Sequence, residues 1–365
     1  MSEHKIAMVG TPCEIMAASK LQHYTDSPID VKLGLFCMEN FSYKYFVNLL
    51  KEYDLKMDDI EKFQIEKGFV FLLLKTKETV RIPLSEAKRI IRKNCNICVE
   101  LTSETSDISV GSIGSDDGWS TLIIRTEKGE EIVNGAIEQK FIEVKDFSDS
   151  QFKLLNKIAK SKISKNLEDI EEREFLARPV LYQRQKSDDS IMGEISTSNF
   201  MDLKSNVIDV GACVLCGACE YACQDNLITI DDTKPRMKGE CPEDCHACFA
   251  VCPRTFIPED LRNDNSKPIG DFLKVFTVKS LKHTQGQDGS IVTTLIDYLL
   301  TNGIVTEALI VDKEDHLAWK PYAKVTSAID EVVKSGGTKY SVCPVFKPLR
   351  NLKDESLENI KEGAD

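Results

Sequence analysis

Eight cysteines in the second half of the chain have the type and spacing of iron–sulfur ligands. They form two runs of four: Cys213, Cys216, Cys219 and Cys223, then Cys241, Cys245, Cys248 and Cys252. Two-residue gaps let successive sulfurs converge on one cubane while backbone amides hydrogen-bond to its sulfides. A structural zinc site needs only four ligands, usually as two Cys-x2-Cys pairs. Eight cysteines therefore predict two 4Fe-4S clusters rather than zinc.

The order of these cysteines resembles the bacterial two-cluster ferredoxin, in which the fourth cysteine of each run binds the other cluster. The resemblance implies one cluster on Cys213, Cys216, Cys219 and Cys252, and a second on Cys241, Cys245, Cys248 and Cys223. This chain departs from the ferredoxin pattern at two points. The first gap of the second run has three residues, and Gln224 stands where proline is usual.

Four further cysteines are scattered through the first half: Cys13, Cys37, Cys95 and Cys98. Cys13 follows Thr11 and Pro12, which suit a helix cap and a first helical residue. Its thiolate would then lie at the positive end of a helix, as a cluster ligand does. Spacing alone leaves two interpretations open. The four bind a third cluster, or two are buried core thiols beside half a zinc site.

Composition narrows the class of protein. Thirteen cysteines in a chain without a secretion signal predict metal or redox chemistry, because cytosolic thiols stay reduced. The balance of 47 basic and 59 acidic residues, a net charge of -12, argues against a nucleic-acid partner. We find no apolar run long enough to span a membrane, so we expect a cytoplasmic protein, peripheral to a membrane only through a partner complex. Cys343 is expected to be a small buried residue.

Apolar patterning outside the cysteine-rich segment predicts an α/β fold. Predicted strands cover 5–10, 31–37, 70–75, 108–113, 122–126, 274–281 and 307–312, and predicted helices cover 13–21, 43–53 and 290–300. A long amphipathic helix presents Phe152, Leu155, Ile158, Ile163 and Leu167 on one face. Residues 173–206 are polar and predict an irregular linker.

Separate motifs along the chain resemble the coenzyme F420 hydrogenase/dehydrogenase beta-subunit family. They are VGTPCEI, GLFCMENF, IEKGF, NCNIC, DISVGSIGSDDGWSTLIIRTEKGEE, GQDGSIVT, WKP and GTKYS. The resemblance implies an FAD beside a 4Fe-4S cluster bound by Cys13, Cys37, Cys95 and Cys98. It also implies hydride transfer between coenzyme F420 and FAD, followed by single-electron relay through the clusters to or from a partner oxidoreductase.

The motifs occur in permuted order, since the TPC half precedes the GQDG half. The expected fold is an α/β (α+β) flavoprotein domain built from two sequence halves, with an inserted two-cluster 4Fe-4S ferredoxin module. The expected division is 1–172 (C-terminal-type half), 173–206 (linker), 207–260 (ferredoxin module), 261–350 (N-terminal-type half) and 351–365 (charged tail). Permutation is tolerated where chain ends lie together. We expect neighbouring termini and one flavin site; alternatively, the halves meet those of another chain.

Flavin contacts are expected from both halves. The turn Gly286, Gln287, Asp288 and Gly289 enters a helix whose first amides can meet an anion, although a capping turn explains it equally well. By resemblance, further pocket positions are Gly10, Thr11, Asn40, Lys320, Thr338, Lys339, Tyr340 and Ser341. Gly114, Gly118 and Trp119 either approach a cofactor or form an ordinary turn and core contact. No catalytic acid or base is assigned, because the cofactors carry the reaction.

The expected partner is a hydrogenase, a formate dehydrogenase, a sulfite or heterodisulfide reductase, or a membrane electron-transport complex. The competing interpretation is a flavin-free protein that holds several clusters for electron transfer or as a scaffold. The densest basic run consists of Lys88, Arg89, Arg92 and Lys93. We interpret it as a solvent-exposed helix face in preference to a binding site for the anionic F420 tail.

Overall fold

The structure is a computed structural model that describes residues 4–66, 68–231, 233–262, 264, 266–283, 290–337 and 339–352. Its strands are β1 (Ile6–Gly10), β2 (Ile29–Leu35), β3 (Ile60–Glu66), β4 (Phe69–Leu74), β5 (Thr79–Pro83), β6 (Ile108–Gly111), β7 (Ser120–Ile124), β8 (Ile142–Asp146), β9 (Ile228–Ile230), β10 (Pro235–Met237), β11 (Lys274–Ser280), β12 (Glu307–Lys313) and β13 (Pro321–Thr326). Its helices are α1 (Pro12–Tyr24), α2 (Tyr43–Lys51), α3 (Leu84–Ala87), α4 (Glu127–Glu138), α5 (Asp149–Phe175), α6 (Asp188–Ser196), α7 (Phe200–Leu203), α8 (Ala218–Ala222), α9 (Ala247–Ala250), α10 (Ile291–Thr301) and α11 (Ile329–Lys334).

One mixed sheet joins the two sequence halves. Within the described ranges its order is β13-β12-β1-β2-β6-β7-β11-β8. Strands β12, β1, β2 and β6 are parallel to one another, whereas β7, β8 and β13 pair antiparallel with their neighbours. Strand β11 lies between β7 and β8, and β12 lies beside β1. The central sheet is therefore built from both halves.

Helices cover both faces of this sheet. Alternate residues of β1 and β12, such as Ala7 and Ala308, pack with α4, α10 and α11 in one apolar core. The intervening Met8 and Leu309 pack with α1 on the opposite face. On the same face as α1, Ile123 packs with Leu155 and Ala159 of α5. The period-two alternation of the strands thus produces a three-layer α/β arrangement.

The segment 173–206 differs from the expected irregular linker. It contains α6 and α7, whose apolar residues Ile191, Ile195, Phe200 and Leu203 are buried. These side chains join a core with Ile163 and Ile170 of α5 and with the cysteine-rich module. The many polar residues between these apolar positions made the helical spacing hard to recognise in the sequence. Packing against the module stabilises the helices more than their intrinsic helix propensity does.

The cysteine-rich module lies against α1, α5 and the chain's C-terminal part. Gly217 begins α8 with a φ of 90°, a left-handed conformation that suits glycine and lets the loop turn between Cys216 and Cys219. Lys20 of α1 is fully buried and donates to the Cys252 carbonyl, the Thr255 hydroxyl and the Phe256 carbonyl at 2.7, 2.8 and 2.7 Å. Strands β9 and β10 form a hairpin in this module.

A second small sheet, β3-β4-β5, packs on α2 around Phe46, Phe63 and Leu72. It also contacts Trp319, whose indole nitrogen donates to the Ile60 carbonyl at 3.0 Å. Among the described residues, we find no helix with the length and apolar character needed to cross a bilayer. The flavin contacts predicted at Gly286 to Gly289 and Thr338, and most of the predicted charged tail, lie outside the described residues.

Candidate redox site

The carboxyl ends of several parallel strands lead to the predicted site residues. Strand β1 ends at Gly10 and continues to Thr11 and Cys13, and β2 ends at Leu35 before Cys37 and Asn40. Strand β6 leads to the loop of Gly114, Gly118 and Trp119, and β12 leads to Lys320. Because these strands are parallel, their ends lie along one edge of the sheet, where α/β proteins bind ligands.

The four scattered cysteines come together at this edge. The Cys37 thiol interacts electrostatically with those of Cys95, Cys13 and Cys98. Cys95 is buried and Cys13, Cys37 and Cys98 are partly buried. Desolvation raises the pKa of Cys13 to about 12. Four thiols in one place are a donor set for a soft metal centre.

Local structure fixes each of these cysteines. The Thr11 amide donates to Glu14 Oε2 at 2.7 Å at the start of α1, which places Cys13 in the first turn. The Asn40 amide donates to Cys95 Sγ at 3.3 Å, and Asn40 Nδ2 approaches Cys37 Sγ at 3.6 Å. Amide donors to sulfur are the contacts that iron–sulfur ligands receive.

Helix α5 holds the other side of this cysteine group. Asn166 Nδ2 donates to the carbonyls of Cys95 and Cys98 at 2.9 and 2.7 Å. Lys162 Nζ donates to the carbonyls of Cys37 and Glu100, each at 2.6 Å. Both side chains are buried, so a helix outside the cysteine motifs supports the site.

Two buried cations face the cysteines. Burial would raise the pKa of Cys98, but Lys162 and Arg254 lower it below its ordinary value. Lys162 interacts with Cys98, Cys37 and Cys95, and Arg254 interacts with Cys98, Cys13 and Cys95. Lys162 also interacts with the buried Glu100. Two buried cations beside four thiols favour an anionic centre, because buried charge needs a partner of opposite sign.

Thiols of the two cysteine runs lie close together in the cysteine-rich module. Cys219 interacts with Cys216, Cys213, Cys252 and Cys248, and Cys248 interacts with Cys241, Cys245, Cys252 and Cys223. The Leu227 amide donates to Cys223 Sγ at 3.3 Å. The fourth cysteine of each run thus lies near thiols of the other run, and the crossed ligation of two clusters stays a prediction.

The three groups lie in series. Cys216 interacts with Cys13 of the first-half group, and Cys248 interacts with Cys252 across the module. In the described ranges, no three His, Cys, Asp or Glu side chains converge on a single-ion site. Thiolates of a four-iron cluster each bind a different iron, so they lie farther apart than the ligands of one ion. The thirteenth cysteine, Cys343, is buried in an apolar core.

The predicted flavin contacts fall in two places. The Phe41 amide, next to Asn40, donates to the Tyr340 carbonyl at 2.8 Å, and Phe41 forms a bridge with Ser341. Lys320 pairs with Glu314 at 3.1 Å, and Lys339 donates to the Ser335 carbonyl. Only the two Phe41 contacts join the halves, and they place Tyr340 and Ser341 near Asn40 of the first-half cysteine group.

Trp119 lies elsewhere on the same sheet. Its ring has Lys145 Nζ at 3.7 Å and Lys279 Nζ at 5.9 Å from the centroid. A Cβ added to nearby Gly114 would meet the Phe147 ring at 2.8 Å, whereas one added to Gly118 would meet nothing within 4 Å. The tight contact and a φ of 93° explain Gly114 without a cofactor, and a φ of 79° explains Gly118 in the same way.

The basic run before Cys95 does not form a single patch. Arg89 pairs with Glu52 at 3.0 Å on the surface. Arg92 turns inward and donates to the Asn94 side chain at 3.1 Å and to the Cys213 carbonyl at 3.3 Å. Arg92 thereby joins the first half to the cysteine-rich module.

Comparison with known protein families identifies two matching segments of the chain. Residues 3–150 match the family model described as the C terminus of the coenzyme F420 hydrogenase/dehydrogenase beta subunit, and residues 275–350 match the model of its N-terminal part. The chain belongs to this family. Its two family segments stand in permuted order, as the motifs predicted.

Several curated family members are similar to parts of the chain. Coenzyme F420 hydrogenase subunit beta of Methanococcus voltae is 40% identical over 187 residues, 49% of this chain and 66% of that protein. The same subunit of Methanosarcina barkeri is 34% identical, over 46% of this chain and 61% of that protein. Coenzyme F420-dependent sulfite reductase of Methanocaldococcus jannaschii is 37% identical, over 38% of this chain and 25% of that protein. The chain thus spans less than two thirds of these relatives.

One solved structure, the F420-reducing [NiFe] hydrogenase complex of Methanosarcina barkeri, contains a similar chain. It is 34% identical, with a TM-score of 0.45, and the match covers 47% of this chain and 62% of that one.

Proposed function

We propose that this chain is an iron–sulfur flavoprotein that exchanges hydride between coenzyme F420 and FAD and relays single electrons to or from a partner oxidoreductase. The observation that carries the proposal is the series of three four-cysteine groups, beginning where strands from both sequence halves end. If bound, FAD would supply the conversion between hydride exchange with F420 and single-electron exchange with the nearest of three 4Fe-4S clusters.

The residues of the chain fit these groups. Cys13, Cys37, Cys95 and Cys98 would hold the flavin-side cluster, and the two crossed groups of the module would hold the others. Arg254 Nε and His246 Nδ1 are buried without hydrogen-bond partners among the described residues. Both side chains lie close in sequence to module cysteines, as expected for donors that complete their contacts at a cluster.

The chain's own task is to hold and orient the cofactors and to exclude water from their site. Asn40, Asn166 and Lys162 fix the first cysteine group. Phe41 ties that group to Tyr340 and Ser341 of the second half, where we place the flavin contacts with Gly10, Thr11, Lys320 and Lys339. Gly286 to Gly289 and Thr338 stay predicted contacts.

The test is an assay of the anaerobically purified chain with reduced F420 and a viologen dye as one-electron acceptor. We expect F420 to be oxidised as the dye is reduced, and the protein to contain both flavin and iron. Cys343→Ala is the matched control, because this buried thiol lies outside the three groups. Iron without flavin, and no F420 oxidation, would favour the flavin-free electron-transfer protein instead.

A further inference from the structure

Arg254 occupies the space between two of the cysteine groups. It follows Cys252 and Pro253, and only 4% of its surface is exposed. The guanidinium carbon lies 4.6 Å from the centroid of the Tyr182 ring, and Nη2 donates to the Asn94 carbonyl at 3.3 Å. These contacts fix the guanidinium in one position.

The hydrogen-bonding capacity of this side chain is not used up. Its Nε is buried and has no partner among the described residues. Arg254 also lines a cavity of about 50 Å³ together with Cys13 and Cys98. A buried donor beside a cavity indicates an acceptor that belongs there, because an unmade hydrogen bond of a charged group is costly.

The charge of Arg254 acts on both neighbouring groups. On one side it interacts with Cys98, Cys13 and Cys95 of the first half. On the other side it interacts with Cys213 and Cys252 of the module. Lys162 differs, because its Nζ is engaged by two carbonyls on the far side of the first group.

We propose that Arg254 is a redox-tuning residue that raises the reduction potential of the centre held by Cys13, Cys37, Cys95 and Cys98. This inference rests on the proposed function. One-electron reduction adds one negative charge to the centre without a proton, and the electron comes from the flavin or from a chemical reductant. A fixed cation in a dry site stabilises that added charge. Arg254 is thus a positioning and electrostatic residue rather than a cluster ligand.

The experiment is a potentiometric titration of the anaerobic holoprotein, followed by electron paramagnetic resonance. The two proteins are compared at the potential that half-reduces the first-half centre of the unmodified protein. At that potential, the ratio of reduced to oxidised centre should be about tenfold lower in Arg254→Met, which corresponds to a potential about 59 mV lower for a one-electron couple. Arg254→Lys should keep most of the potential, since it keeps the charge. Arg236→Met is the control, because Arg236 is exposed on the same module and pairs with Asp231 at 3.0 Å.

The outcomes separate this inference from the proposed function. An Arg254→Met protein with its full iron content and an unchanged potential would overturn the inference and leave the proposed function standing. An unmodified protein without a centre on the first-half cysteines would overturn both. If the Arg254→Met protein loses the centre, the Arg254→Gln and Arg254→Lys proteins are compared instead. A reduction potential lowered in Arg254→Gln but not in Arg254→Lys supports the role of charge. Equal potentials in these two variants contradict it.

Discussion

Lys339 is a partly buried lysine in the second half, next to Tyr340 at the proposed flavin contacts. Burial lowers its pKa from 10.5 to about 8. Below that pH it carries the charge that an FAD phosphate needs, and above it the charge is lost. We expect FAD affinity to weaken about tenfold between pH 7 and pH 9, measured by flavin fluorescence on the reconstituted protein.

Lys339→Arg is the matched variant, because arginine stays charged across this range. It should flatten the pH dependence of FAD binding. The same depressed pKa makes the unfolded chain bind more protons between about pH 8 and 10.5, so the flavin-free protein should gain stability as the pH rises through that window. An unmodified protein whose FAD affinity is constant from pH 7 to 9 would remove Lys339 from the contacts.

Individual residues of the site were predictable to different extents. Cysteine type and spacing indicated two clusters in the module, and the ferredoxin resemblance implied their crossed ligation, which stays a prediction. The structure brings together Cys13, Cys37, Cys95 and Cys98, which spacing alone could not group. The supporting residues Lys162 and Asn166 were missed, because polar residues in a long helix suggest its solvent face. A signal existed: both continue the helical spacing of Leu155 and Ala159.

At the scale of elements, α1 connects two cysteine groups. Its first turn carries Cys13, and Lys20, two turns later, donates to carbonyls of Cys252 and Phe256. Lys20→Met removes an amine donor from buried carbonyls, which costs about 1–3 kcal/mol each. We expect a lower thermal unfolding temperature and easier loss of iron, measured by anaerobic calorimetry and chelator release.

A second α1 variant serves as the control for Lys20. His23 lies on the same helix and approaches Asp260 at 3.7 Å on the surface. His23→Ala should change stability by less than about 1 kcal/mol, because exposed ion pairs contribute little. Equal unfolding temperatures for the two variants would show that Lys20 does not secure the module.

Elements were predictable where their apolar pattern is regular. Strands β1, β2, β6, β7, β11 and β12 agree with their predicted segments within a few residues, as do α1, α2 and α10. Helices α6 and α7 were not predicted, because their few apolar residues form a buried face only when the helices pack against the cysteine-rich module. Strand β8 was missed because just Ile142 and Val144 alternate among charged residues; its pairing with β11 stabilises it.

At the scale of the whole molecule, the sheet depends on both halves of the chain. Strand β8 pairs with β11, and β1 pairs with β12 on one side. A fragment of residues 4–172 therefore loses the partner of β8 and exposes an edge of β1. We expect it to aggregate or remain unfolded, as seen by circular dichroism and size-exclusion chromatography.

The full chain expressed in parallel is the control for that fragment. A folded, monomeric fragment that binds iron would show that the first half is an independent domain.

The permuted order of the two halves was evident in the sequence motifs. The interleaving of β11 between β7 and β8 was not, because pairing between distant strands leaves no trace in local sequence.

The central claim is that twelve thiols hold three clusters, one of them on the scattered first-half cysteines. The direct measurement is iron and acid-labile sulfide per chain, after anaerobic purification, for the unmodified protein and for a Cys95→Ser, Cys98→Ser double variant. We predict about twelve irons in the first and about eight in the second, with Cys343→Ala unchanged. About eight irons in all three proteins would contradict the account.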